Sequence, residues 1–168
     1  MSRRSVDDEL RSDVILDIPK EQERRFGCAG KMLKPSRASV EALVKKIPQG
    51  RVMTTPSLRK ALAERHNAQV TCPFLTKRAL MTIAEDRKTT VPFWRVVMAK
   101  GEMIAAYPGG GTKQARRLKH EGVTIAGRVG TYKVMNLRDA QRCDVTTSSE
   151  FRAKLPSLTR LGTRVAHY

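Results

Sequence analysis

The apolar residues that follow position 38 recur with the period of an amphipathic helix. From Ser39 onward they occupy positions i, i+3, i+4 and i+7, which places them on one face of a helix. The segment Pro48-Gln49-Gly50 ends this helix, because proline and glycine both interrupt a helical backbone. The residues of the apolar face are Val40, Leu43, Val44 and Ile47.

Two further helices are predicted, and each begins at a proline, which is favoured at the first position of a helix. Pro56 follows the cap residue Thr55, and this helix continues to about His66. Pro73 begins the third helix after a turn at residues 67–72. The inward-facing residues are Leu58, Ala61 and Leu62 in the second helix, and Leu75, Ala79, Leu80, Ile83 and Ala84 in the third.

The third helix has a basic outer face. Lys77, Arg78 and Met81 fall opposite its apolar side when residues are placed at about 100° intervals. Two short helices joined by a tight turn, the second with a basic face, form a helix-turn-helix candidate. A pair of charges on a helix is by itself more often a solvated face. The DNA-binding interpretation therefore depends on the net charge and on the segments that follow.

Two hairpins are predicted beyond the third helix. Residues 95–99 and 102–107 have the composition of strands around the two-residue turn Lys100-Gly101, and such a hairpin would form a wing beside the helix-turn-helix. Residues 123–137 predict a second hairpin. The fold class expected from all these elements is mostly α with small β, a winged helix-turn-helix-like DNA-binding domain.

A glycine-rich loop and a basic helix are predicted between the two hairpins. The loop is Tyr107-Pro108-Gly109-Gly110-Gly111, whose glycines allow the backbone to approach a partner closely. The helix covers about residues 112–121 and ends at Gly122, which suits a left-handed cap. Its basic residues are Lys113, Arg116, Arg117 and Lys119.

Net charge strengthens the nucleic-acid interpretation. The 168 residues include 33 lysines and arginines against 16 acidic residues, which leaves +17 and favours nucleic acid or an anionic membrane surface. The sequence has no run of about 18 apolar residues and no charged-then-apolar leader. We therefore expect a soluble, monomeric, cytoplasmic protein without a membrane partner, associated with the nucleoid if the source is bacterial.

The cysteines and histidines do not form a metal-binding pattern. Cys28, Cys72 and Cys143 are odd in number, far apart and without C-x-x-C spacing, so we interpret them as reduced thiols. His66 and His120 are expected at the surface. No metal and no cofactor is predicted.

Charge also divides the chain into three parts. Residues 1–30 carry a net charge of −1, against +18 for the remainder. This asymmetry predicts an N-terminal extension at 1–35, a DNA-binding domain at 36–137 and a basic tail at 138–168, which either touches phosphates or is a disordered terminus. In the extension, the apolar run from Val14 to Ile18 predicts a short strand or a contact with the domain, and its glycines and Pro35 predict a linker.

The middle of the chain reads Pro92-Phe93-Trp94-Arg95-Val96-Val97. It resembles the DNA-binding domain of the O6-alkylguanine-DNA alkyltransferases, in which this place reads Pro-Cys-His-Arg-Val-Val. Several other segments agree with that family in order and spacing. They are Ile47-Pro48-Gln49-Gly50-Arg51-Val52, Arg78-Ala79-Leu80, Tyr107-x-Gly109-Gly110 and His120-Glu121-Gly122.

The resemblance implies binding without chemistry. In the family the cysteine accepts the alkyl group and the histidine activates it, but here Phe93 and Trp94 stand at these positions. A phenyl ring is not a nucleophile and an indole is not a base, so no methyltransferase activity is expected. The chain is more similar to the alkyltransferase-like proteins, which lack the cysteine and bind the damaged base without repairing it.

The resemblance also assigns roles to individual residues. Arg78, or Lys77 if the alignment shifts by one, would enter the base stack where the flipped nucleotide was. Glu121 would be structural and paired with Arg95. The expected DNA contacts are Thr55, Thr76, Lys77, Arg78, Met81 and Arg95, and the expected base pocket is Phe93, Trp94, Tyr107, Pro108, Gly109 and Gly110.

Two departures from the family keep alternatives open. Thr55 replaces a tyrosine that helps to rotate the target phosphate, and residues 85–88 lack the usual asparagine. The first interpretation is a protein that flips alkylated guanine out of duplex DNA and marks it for excision-repair proteins. The second is a winged-helix regulatory protein that binds duplex without lesion recognition, which would follow if Phe93 fills the pocket. The third is an enzyme with a relocated nucleophile such as Cys72.

Overall fold

The computed structural model describes residues 6–140, and the three predicted helices are present in it. They are α3 (Arg37–Val44), α4 (Thr55–Arg65) and α5 (Pro73–Glu85). Their predicted apolar faces are buried, except that Ala61 is only partly covered by the core. Most of the predicted basic tail, from residue 141 onward and including Cys143, lies outside the described residues.

The caps of these helices follow from their sequences, with one correction. The hydroxyl of Ser36 accepts a hydrogen bond from the Ser39 amide at the start of α3. At the start of α4 the cap is Thr54, which accepts from the Ser57 amide, and Thr55 is already helical. The sequence prediction placed the cap one residue too late, because proline is tolerated throughout the first helical turn and not only at its first position.

The N-terminal extension is folded against the domain. Short helices α1 (Val6–Glu9) and α2 (Lys20–Phe26) alternate with strands β1 (Val14–Asp17) and β2 (Lys31–Lys34). Strand β2 pairs antiparallel with β1 and parallel with β4 (Val70–Thr71), which precedes α5. The predicted strand at Val14 is therefore confirmed. The predicted linker is wrong, because Leu33 of β2 is fully buried in the core and this burial outweighs the glycine and proline signals.

The predicted wing at residues 95–107 is also wrong in its second half. Strand β5 (Val96–Val97) pairs in parallel with β3 (Met53–Thr54), and the turn at Lys100-Gly101 is closed by the Met98 amide donating to the Glu102 carbonyl over 2.9 Å. Residues 103–107 form no strand. The backbone groups that a hairpin partner would use are instead bound by a buried side chain: Gln114 accepts from the Ile104 amide at 2.7 Å and donates to the Val96 carbonyl at 2.8 Å.

The remaining predicted elements, a basic helix and a second hairpin, are present, and one unpredicted short helix follows them. Helix α6 (Gly110–His120) carries the basic residues, and Gly122 beyond it has φ +87°, the left-handed conformation that was expected. Strands β6 (Ile125–Ala126) and β7 (Lys133–Val134) pair antiparallel as the second hairpin, and α7 (Leu137–Ala140) follows. The mostly α, helix-turn-helix-like class is thereby confirmed. Within residues 6–140, no helix is long and apolar enough to cross a membrane.

The core has two apolar clusters that meet at one side chain. The larger joins β2, α3, α4 and α5 with Phe93 and Tyr107, and the smaller joins β5, α6 and the β6–β7 hairpin. Trp94 packs against both clusters. The segment predicted to join the two halves of the chain therefore lies where they pack together.

Candidate nucleic-acid interface

The outer face of α5 presents two cations to solvent. Lys77 and Arg78 are exposed, and Met81 is half-buried one turn further along the helix. Thr76, which is also a predicted DNA contact, does not belong to this exposed face. Its side chain is buried, and its hydroxyl donates to the Cys72 carbonyl, four residues earlier, at 2.8 Å.

A cavity of about 400 Å³ lies against this helix. Its lining is mostly apolar, and its polar lining residues include Thr55, Arg59 and Lys77. The structure therefore brings together Thr55, Thr76, Lys77 and Met81, which the sequence assigned to DNA contact. The sequence assigned no such role to Arg59 or to the other lining residues, four of which lie in the loop at 98–106. The lining residues not yet named are Pro73, Leu80, Met98, Met103, Ile104 and Ala106.

The predicted base pocket is assembled but filled. Phe93 packs edge-to-face against Trp94 and Tyr107, with ring centroids 5.4 and 5.1 Å apart, and only 8% of Phe93 is exposed. The space left among Phe93, Trp94, Tyr107 and Pro108 is about 10 Å³, room for no more than about one water molecule. No base fits there unless these rings move.

Gly109 and Gly110 form the start of helix α6, which packs against the aromatic cluster of Phe93, Trp94 and Tyr107. Both have positive φ, +85° and +66°, at the point where the loop turns into α6. A side chain at Gly109 would also collide with Lys113. Tyr107 is buried in the same cluster; its hydroxyl makes no hydrogen bond within residues 6–140, and burial raises its pKa strongly. These residues shape the loop beside the cavity and do not line it.

Trp94 and Arg95 share one carboxylate. The indole Nε1 of Trp94 donates to Glu121 Oε1 at 2.8 Å, and Arg95 Nε donates to Glu121 Oε2 at 2.9 Å, which confirms the expected pairing of Arg95 with Glu121. The Gly50 amide donates to the same carboxylate at 3.3 Å. Burial acts to raise the pKa of Glu121, but the hydrogen bonds from Arg95, Trp94 and Gly50 outweigh burial and hold this pKa below its usual value.

Arg95 is consequently engaged inside the protein. Its Nη2 also donates to Glu121 Oε1, at 2.9 Å, and its Nη1 donates to the Ile47 carbonyl at 2.7 Å. The side chain is only 15% exposed. The prediction that Arg95 contacts DNA is not supported by this placement, since all three nitrogens already have acceptors. The pairing with Glu121, which was itself expected, is what removes Arg95 from the surface.

A cation covers the aromatic cluster. The guanidinium of Arg117 lies 4.4 Å from the Trp94 ring centroid and 5.7 Å from that of Phe93. Arg117 therefore closes the cluster from the α6 side. Within the described part of the chain, no group of histidines, cysteines and acids has the arrangement of a metal site.

The arrangement of α4 and α5, with a basic outer helix and the aromatic pair Phe93 and Trp94 where a cysteine and a histidine are expected, defines a helix-turn-helix-like domain of the alkyltransferase type. The chain belongs to the family of the 6-O-methylguanine DNA methyltransferase DNA-binding domain, whose model matches residues 35–123. The resemblance seen in the sequence is thereby confirmed.

Two solved structures are similar to this chain. The Atl1 protein of S. pombe, in complex with damaged DNA containing O6-carboxymethylguanine, is 25% identical with a TM-score of 0.50, over 62% of this chain and 92% of that chain. A second structure, of S. pombe ATL in complex with DNA, has 23% identity and a TM-score of 0.48 over the same shares of the two chains. A search of curated proteins finds no match.

Proposed function

We propose that this protein binds double-stranded DNA, recognises an alkylated guanine and does not transfer the alkyl group. The observation that carries the proposal is the pairing of a cavity of about 400 Å³ with the basic face of α5. The position of the family's nucleophile is occupied by Phe93, which lies in the aromatic cluster and does not line this cavity. The likeness to S. pombe Atl1, which is bound to damaged DNA, supports it. The net charge of +17 supplies the attraction to phosphates.

The cavity beside α5 receives the extruded base in this proposal. Its volume lies within the range of roughly 300–1,000 Å³ that is typical of ligand sites, and its lining of apolar groups with a few polar ones is also typical. Extrusion costs a few kcal/mol of lost stacking, which Arg78 offsets by filling the gap in the duplex. Arg78 is suited to this role because it is exposed and lies one residue from Lys77, which lines the cavity.

Alkyl transfer is absent from the proposed function for a chemical reason. Phe93 is buried and carries no nucleophilic atom, and the Trp94 indole is bound as a donor to Glu121, so neither group can attack or deprotonate. The two described cysteines, Cys28 and Cys72, are free thiols, and neither lines the cavity. We expect no mass increase when the protein is incubated with alkylated DNA. A stable adduct on Cys72 would support the enzyme alternative.

The direct test is a titration of labelled duplexes, with and without one O6-alkylguanine, at two ionic strengths. The proposal expects tighter binding of the alkylated duplex by the wild type, and loss of this preference in Arg78→Ala. The control is Lys20→Ala, which removes the same charge from exposed helix α2, outside the family match. Equal preference in wild type and Arg78→Ala would contradict the assigned role of Arg78.

The second candidate, a plain duplex binder, is favoured by the closed aromatic cluster with its space of about 10 Å³. It predicts equal affinity for alkylated and unmodified duplexes together with a steep dependence on salt. The first candidate predicts the same salt dependence but unequal affinities. The ratio of the two dissociation constants therefore separates them.

A bound lesion that is not repaired must be removed by other proteins. We propose that the complex marks the alkylated guanine for excision repair, since the protein has no means of reversing the damage itself. Deleting the gene should sensitise cells to an alkylating agent, and the deletion should add nothing in cells already lacking excision repair. An additive effect in the double deletion would refute the marking role.

A further inference from the structure

Phe74, in the first turn of α5, is unusually exposed for its size. Its side chain is 64% accessible, and among the large apolar residues of the described chain only Val129, at 76%, is more exposed. Its neighbour Leu75 is fully covered by the core, so the exposure of Phe74 is not caused by fraying of the helix start. Burying an exposed aromatic ring is favourable, so a partner that covers Phe74 would gain binding free energy.

The residues around Phe74 indicate what that partner is. Lys77 and Arg78 lie three and four residues further along α5, so the three side chains are neighbours on the helix surface, with Cβ atoms about 5–6 Å apart. Both cations are exposed. A ring flanked on one side by two cations is complementary to a base stack bordered by phosphates, whereas an apolar protein surface would leave those cations without partners.

We propose that Phe74 is a wedge that inserts between adjacent base pairs of the bound duplex and bends it. The proposal rests on the proposed function, because it requires α5 to lie against DNA. Apolar side chains that enter the minor groove between base steps are known to unstack those steps and kink the duplex. Phe74 was not among the contacts that the sequence predicted, since its exposure is visible only in the folded helix.

Helix geometry sets the distance between the wedge and Arg78. Four residues of α-helix advance about 6 Å, and successive base pairs are about 3.4 Å apart, so the two side chains meet the duplex about two base steps from each other when α5 follows the groove. The wedge therefore opens a step about two base pairs from the flipped nucleotide. Loosening this nearby step lowers the cost of extruding the base.

The test compares Phe74→Ala with Val129→Ala, a control that removes an apolar side chain of greater exposure from the β6–β7 turn. Affinity for duplex DNA is measured at several salt concentrations, and bending is measured by energy transfer between dyes at the duplex ends. Loss of base stacking predicts roughly 5- to 100-fold weaker binding for Phe74→Ala, with an unchanged slope of log Kd against log salt. Lys77→Ala is expected to reduce that slope by about one.

The outcomes separate the wedge from the proposed function. Phe74→Ala that binds weakly and no longer bends the duplex, while Phe74→Leu retains part of both properties, supports the wedge. Wild-type affinity and bending in Phe74→Ala overturn it and leave DNA binding by α5 standing, with the ring then available to a protein. Absence of duplex binding by the wild-type protein overturns the proposed function, and the wedge with it.

Discussion

Replacing Glu121 with alanine should destabilise the fold strongly, because this carboxylate is the common acceptor of Arg95, Trp94 and Gly50. The side chains of Glu121 and Arg95 are only 9% and 15% exposed. The substitution leaves the guanidinium of Arg95 buried, with the Ile47 carbonyl as its remaining acceptor within residues 6–140. Removing one partner of a buried ion pair typically costs about 3–5 kcal/mol, and we expect a loss of this size.

The assay is urea unfolding followed by tryptophan fluorescence. Trp94 is the only tryptophan in the chain and donates directly to Glu121, so its emission reports on this network. The matched control is Glu64→Ala, which breaks an exposed ion pair with Lys60 at 3.9 Å and should cost no more than about 1 kcal/mol. If Glu121→Ala costs no more than Glu64→Ala, the carboxylate does not organise the site.

The pH dependence provides a second check of the same carboxylate. Because the pKa of Glu121 in the fold lies below its ordinary value of 4.5, its ionised form stabilises the protein. This contribution is complete above that ordinary value and is lost as the pH falls through the lower, folded pKa. The difference in unfolding free energy between wild type and Glu121→Ala should therefore shrink in acid. A difference that stays constant down to strong acid would contradict the ionic role.

Three further predictions concern phosphate contacts, the cavity loop and a turn. Duplex affinity should fall steeply from low to physiological salt, and a flat response would argue against phosphate contacts. Gln114→Leu should cost several kcal/mol, because backbone groups of Ile104 and Val96 lose buried partners, and thermal unfolding will measure it. Gly127→Ala should destabilise the protein more than Gly130→Ala by the same measurement: both have positive φ, but only at Gly127 does a Cβ collide with the Thr131 backbone. Equal losses would show that strain alone matters.

The helices were predictable because they are encoded locally. The spacing of Val40, Leu43 and Val44 predicts the buried face of α3, and a proline in the first turn predicts the start of both α4 and α5. The family was recognisable for a related reason. Its motifs are short runs such as Pro92 to Val97. In this run the sequence alone shows both the residues that match the family and the two that replace its cysteine and histidine.

Errors arose where the partner of a segment is distant in the sequence. Strand β2 is flanked by glycines and Pro35, which are typical of a linker. It nevertheless forms a sheet, because it pairs in parallel with β4, which lies nearly forty residues later in the sequence. The second strand of the wing fails for a similar reason. Gln114, which lies on α6, binds the Ile104 amide that a neighbouring strand would have used.

The site shows the same division between local and distant information. Composition and motif alone determined the basic face at Lys77 and Arg78, the missing nucleophile at Phe93 and the attraction to polyanions. Only tertiary structure decided that Phe93 fills its own pocket, that Arg95 is committed to Glu121, and that the open volume lies beside α5. The physical reason is that chemical identity belongs to each residue, whereas free volume and hydrogen-bond partners depend on which distant segments pack together.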